Sequence, residues 1–139
     1  MSTNVTDNAV DQVVSQISTN IATYFNSMDG TGYTQKDPKQ VRKGIPNPTK
    51  MHSPSVYVFP ERVQQVDGYM HQITMTIWYY ISDNDSERLA KAIARGADAL
   101  NQLIDDKFSV LSSSYEFEYA VDEGGKQQAA AQISAEIIV

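Results

Sequence analysis

Two histidines, His52 and His71, are the only imidazoles in the chain, and neither has a second ligand at the H-x-x-x-H or hairpin spacing that a metal ion needs. Cysteine is absent, so thiol nucleophiles, disulfides and thiolate metal ligands are excluded, although this does not fix the redox compartment. No G-x-S-x-G elbow, G-x-x-x-x-G-K phosphate cradle or dinucleotide fingerprint occurs. The run Asp83-Asn84-Asp85-Ser86-Glu87 opens like a calcium loop, but it lacks the turn glycine and the distal glutamate of one. It reads instead as the cap of a following helix, where carboxylates accept from free N–H groups and face the positive end of the dipole. The pairs Asp105-Asp106 and Asp122-Glu123 flank element ends, with nothing to bring a second carboxylate opposite for acid–base work. Neither an enzyme nor a cofactor or metal protein is expected.

Charge carries more information than any such motif. Lys36, Lys39, Arg42, Lys43 and Lys50 place five of the eleven basic residues within fifteen positions. With Asp37 counted, that stretch carries +4 and the remainder −10, against a net −6. An acidic balance argues against a general nucleic-acid binder. The basic stretch is either a solvated flexible loop or an arm that meets an acidic partner, protein or nucleic acid. Aromatic residues are the other candidates for contact. Tyr57 and Phe59 lie in one strand pattern, and Trp78 and Tyr80 in another, on the side opposite its apolar residues. Trp78 and Tyr80 are either a face covered by a neighbouring subunit or an ordinary, partly exposed pair.

The elements that position these residues follow from periodicity. Val10, Val13, Val14, Ile17, Ile21, Tyr24 and Phe25 recur at steps of three and four, which predicts a helix over 5–25, capped by Thr6 or Asp7 and ended by Asp29-Gly30. From 29 to 54, glycine and proline punctuate a stretch with few large apolar residues, predicting a long irregular loop. Val56, Val58 and Val63 mark a strand, with a bulge or edge expected at Pro60. Asp67-Gly68 suits a type I′ turn. Ile73, Met75, Ile77, Tyr79 and Ile81 then alternate with polar and aromatic neighbours. Leu89, Ile93, Gly96, Leu100, Leu103 and Ile104 define a second helix to about Asp106, with Gly96 permitting close approach to the sheet. Tyr115 to Val121 and Ile133 to Val139 alternate on either side of Gly124-Gly125. The order is helix, hairpin, helix, hairpin. An α+β fold is expected: one domain over 1–139, with an antiparallel sheet of about four strands and two helices on one face. The last strand reaches Val139, so no appended tail is expected to carry a separate job. Neither a membrane span nor a secretory leader is expected.

This element order resembles that of the tail terminator and tail-completion proteins of long-tailed bacteriophages, the phage lambda tail terminator among them. The segments that carry the likeness are Ser55-Val56-Tyr57-Val58-Phe59-Pro60, Ile73-Thr74-Met75-Thr76-Ile77-Trp78-Tyr79-Tyr80 and Ile133-Ser134-Ala135-Glu136-Ile137-Ile138-Val139. The resemblance implies a non-enzymatic virion protein. Such a protein forms a ring of six copies on the tail tube, ends tube polymerisation and presents the docking surface for the neck. Its partners would be itself, the tail tube protein and a neck or head-completion protein, with possible contact to DNA in the lumen. It would reside in the virion tail or neck, and in the host cytoplasm during assembly. A closed ring needs two unlike, complementary patches on each subunit. The basic stretch and the acidic remainder offer such a pair, with Tyr57, Phe59, Trp78 and Tyr80 as apolar anchors. Three alternatives stay open: a neck connector on the portal side, a nucleic-acid module using the basic stretch with Tyr33, and a small-molecule or hydrolytic domain around a pocket with His71.

Overall fold

The computed structural model describes residues 4–27, 40–47, 54–68 and 70–139. In chain order these form α1 (Val5–Ser27), β1 (Gln40–Lys43), β2 (Ser55–Val66), β3 (Met70–Asp83), α2 (Ser86–Lys107), β4 (Ser109–Val121) and β5 (Gln127–Ile138). The five strands make one sheet in the order β1-β2-β3-β5-β4. Helix α1 packs over β1 and β2, and α2 over β3, β5 and part of β4, so both helices lie on one face.

Helix α1 buries the expected stripe, with Val10, Val13, Ile17, Ile21 and Phe25 in the core and Val14 and Tyr24 packed against it. It starts at Val5 rather than after a Thr6 or Asp7 cap, because the Asn4 carbonyl already accepts from the Asn8 N–H at 2.9 Å. Asp7 lies within the first turn, where its charge suits the dipole. The Asp29-Gly30 stop lies outside the described residues. At α2 the acidic run is a cap, as its residue types suggested. The Asp85 carboxylate accepts from the Arg88 N–H at 3.0 Å, and Asp83 receives both the Asp85 N–H and a two-pronged Arg88 guanidinium at 2.7 Å. That pairing raises the Arg88 pKa further, through the Asp83 hydrogen bonds first and its charge second. The α2 stripe is fully buried and includes Gly96. A Cβ there would overlap the Tyr79 ring, so the glycine admits the ring of β3 against the helix.

Four strands are antiparallel to their neighbours, as expected. The fifth, β1, is parallel to β2, which makes the sheet mixed. It arises inside the stretch read as irregular loop. Val41 drops onto the core while Lys43 pairs in register with Val58. Four residues with one large apolar side chain give no alternation to read. Strand β1 flanks β2 only from Ser55 to Val58. Beyond that point β2 is an edge among the described residues, and there Pro60, which has no N–H to donate, coincides with a register shift before Arg62. Asp67 and Gly68 both have positive φ, 54° and 73°, but Val66 pairs with Met70, so three residues join β2 to β3 where a type I′ hairpin has two.

Candidate functional site

The face of the sheet that lacks helices can be read row by row from the strand register, because paired residues point to the same side. One row runs Arg42, Tyr57, Trp78, Gln132, Glu116 across all five strands. The next runs Gln40, Ser55, Tyr80, Ala130, Glu118. A cation therefore stands at one edge of the sheet and carboxylates at the other, with aromatic rings between them.

Trp78 and Tyr80 stack with centroids 5.7 Å apart and planes within 2°. Tyr57 meets Trp78 edge-on at 6.2 Å. Phe59 continues this side of β2, half-buried beside Thr76. Small residues beside the rings leave a groove of about 220 Å³, floored by Ala129 and Ala130 and walled by Trp78 and Tyr80 on one side and by Glu118 and Ala120 on the other. Burial, then the Asp122 charge, raises the Tyr80 pKa, opposed by a hydrogen bond with Gln128. Ser55 is fully buried here, and its hydroxyl has no hydrogen-bond partner among the described residues.

Further along the same face the surface turns polar and satisfies itself. Glu136 accepts from Gln72 Nε2 and from Ser112 Oγ, each at 3.0 Å, and Glu61 accepts from Thr76 Oγ1 at 2.6 Å. The aromatic end differs. Among the described residues, Arg42 has no carboxylate within ion-pair distance, and Glu116 and Glu118 have no cation. Lys43, the neighbour of Arg42, points the other way. Its ammonium is held by Asp7 and by Asp11 of α1, the latter at 3.0 Å, and these bonds raise its pKa. One cation thus fastens the edge strand to its own helix, and the other is left on the outer face.

Strand β4 closes the far edge of the sheet, and among the described residues no strand pairs with its outer backbone edge. Glu116, Glu118, Asp122 and Glu123 give that edge its charge, and all are exposed. On its helix-facing side, Tyr119 and Val121 are 61% and 67% exposed, and Leu111, at the register shift, is 60% exposed. At the opposite edge, Ile45 just past β1 is 79% exposed.

Of the nine residues singled out from the sequence, Tyr57, Phe59, Trp78, Tyr80 and Arg42 are gathered on this face, and Lys43 is directed to α1. Lys36, Lys39 and Lys50 lie outside the described residues, as do Tyr33 and His52. Glu116 and Glu118 escaped the sequence reading. Their alternation with Tyr115 and Phe117 was visible, but their place at the sheet edge depends on β5 inserting between β3 and β4, which no local pattern reveals. His71 is half-buried at the start of β3, its backbone paired with Val139. It does not line the groove. No three of His, Asp and Glu converge as a metal-binding group among the described residues. No described helix is long and apolar enough to cross a membrane.

No protein-family model matches the chain. No curated protein matches it. Among solved structures, it is similar to a chain of a structure described as "Virion of native gene transfer agent (GTA) particle", at 10% identity and a TM-score of 0.31, covering 71% of this chain and 78% of that one. At that TM-score the likeness bears on neither fold nor function.

Proposed function

We propose that the chain is a non-enzymatic virion-assembly protein that closes the end of a phage tail tube as a ring, stops tube growth and offers the surface on which the neck docks. The observation that carries this reading is the helix-free sheet face, where an aromatic ladder lies between a cationic edge and an acidic edge. A subunit with two unlike, complementary edges suits head-to-tail association, and a rotation that closes gives a ring. The resemblance of the helix–hairpin–helix–hairpin order to that of tail terminators supports the tube as the object capped. On this reading the partners are further copies of the chain, the tube protein and a neck or head-completion protein. The remaining cations of the basic stretch, Lys36, Lys39 and Lys50, then serve docking toward a protein or the DNA-bearing lumen. The protein resides in the virion tail or neck and, during assembly, in the host cytoplasm.

The test is to add the purified chain to the polymerising tube protein of the same virus and image the products by electron microscopy. Rings at tube ends and tubes of limited length are expected. Tubes that elongate as before, with bare ends, overturn the capping role. Retention on isolated portal complexes instead of tubes assigns the chain to the neck.

A further inference from the structure

We propose that the β4 edge, with the groove beside it, is the docking site for the β1 edge of a second copy of this chain, with Arg42 of one copy set against Glu116 and Glu118 of the next. This deepens the assembly reading and rests on it, since it names the two patches that a head-to-tail association would join.

Charge complementarity chooses the occupant. The acidic edge presents Glu116, Glu118, Asp122 and Glu123, offset by Lys126 alone in the adjoining turn. The opposite edge presents Arg42, the cation there that has no carboxylate within ion-pair distance among the described residues, inside a stretch that carries +4 by sequence. Arg42 lies on the same face of the sheet as both glutamates, in the row of Glu116 and next to the row of Glu118. A copy placed edge to edge in the same orientation therefore brings its guanidinium onto the carboxylates without turning over. A two-fold dimer would instead set like edges together, acid against acid, which opposes association.

The groove supplies the second half of the fit. A guanidinium is planar, carries an apolar stem and sits well against both a carboxylate and an aromatic face. The groove offers Glu118 on one wall and the Trp78–Tyr80 stack on the other. Apolar surface is matched as well. Tyr119 and Val121 at one edge and Ile45 at the other are exposed in the single copy, and burying such side chains is what distinguishes an interface core from a rim.

Because the natural chain has no cysteine, the junction can be tested by cross-linking two single-cysteine variants of the full chain, Arg42→Cys and Glu118→Cys, mixed under mild oxidation. A disulfide heterodimer is expected in clear excess over either homodimer, and over a control pair that joins Glu118→Cys to Ser15→Cys on the exposed side of α1. In sedimentation velocity, Arg42→Glu and Glu118→Arg should each weaken self-association at least about tenfold, and mixing the two variants should restore it. A heterodimer yield no higher than the control, or reversals without effect, overturns the proposal. Rings seen on tube ends without the disulfide between Arg42→Cys and Glu118→Cys reject this junction and leave the capping role standing. Linked open filaments that never cap tubes support the junction and reject the capping role.

Discussion

At the scale of single residues, the most constrained position is Gly96. Its place on the buried stripe of α2 was readable from spacing, because Ile93, Gly96, Leu100 and Leu103 follow one another at steps of three and four. The reason for it was not, since Tyr79 lies in another element and seventeen residues away. The Tyr79 ring is fully buried and also meets Phe25 edge-on at 5.9 Å, so it has little room to retreat. Gly96→Ala should therefore lower stability although alanine favours the helix. The propensity gain is about 1 kcal/mol, and overpacking a closed core costs about 1–3 kcal/mol. A net loss of up to about 2 kcal/mol is expected in urea unfolding followed by circular dichroism. A variant as stable as the natural chain would mean that α2 and β3 do not meet at this glycine.

At the scale of elements, β4 is the strand whose pattern and placement disagree. Tyr115, Phe117, Tyr119 and Val121 alternate like a core face, yet only Tyr115 is held down, and Phe117, Tyr119 and Val121 are exposed. Alternation reports which side of a strand is apolar and is silent on whether a helix reaches that far. In this molecule α2 covers the β3–β5 centre and reaches β4 mainly through Tyr115, whose hydroxyl donates to the Asp98 carboxylate. The same limit hid β1, which owes its place to Val41 and the Lys43 ion pairs rather than to a pattern of its own. The helices and the two hairpins were legible because each carries a periodic apolar stripe, buried or not; the strand order and the parallel edge follow from contacts between distant segments.

The Tyr115 clasp has a pH signature. The hydrogen bond to Asp98, then burial and the Asp98 charge, push the Tyr115 pKa up from 10.0 to about 12. A raised folded-state pKa means that the clasp contributes fully below pH 10, where the phenol is protonated folded or unfolded. The contribution is lost as pH climbs through about 12. Thermal melts across that window should show the natural chain losing more of its melting temperature than Tyr115→Phe, which has no phenol to ionise. Tyr24 is raised by its bond to Asp106 and is present in both proteins, so it cancels in the difference. Equal slopes in the two proteins would show that the clasp does not join β4 to α2.

At the scale of the whole molecule, the question is whether a net charge of −6 lets copies associate at all. Two bodies of that charge about 30 Å apart in water repel by roughly 5 kcal/mol unscreened. A Debye length of about 10 Å at about 0.1 M salt cuts this to a few tenths of a kcal/mol. A guanidinium about 4 Å from a carboxylate near the surface gains up to about 4 kcal/mol before desolvation is charged against it. The local pair therefore outweighs the global repulsion at ordinary salt, and the two respond to salt in opposite senses. Raising the salt from about 0.1 M to about 1 M shortens the Debye length to roughly 3 Å. Self-association of the natural chain, followed by sedimentation equilibrium, should weaken over that range, because the Arg42–Glu118 attraction is screened more than the residual repulsion is relieved. In Arg42→Ala only the repulsion and the apolar contacts around Trp78 and Tyr119 remain, so added salt should leave association unchanged or strengthen it. A natural chain that associates more tightly in high salt would place the contact on apolar surface alone and remove the charged edges from the assembly.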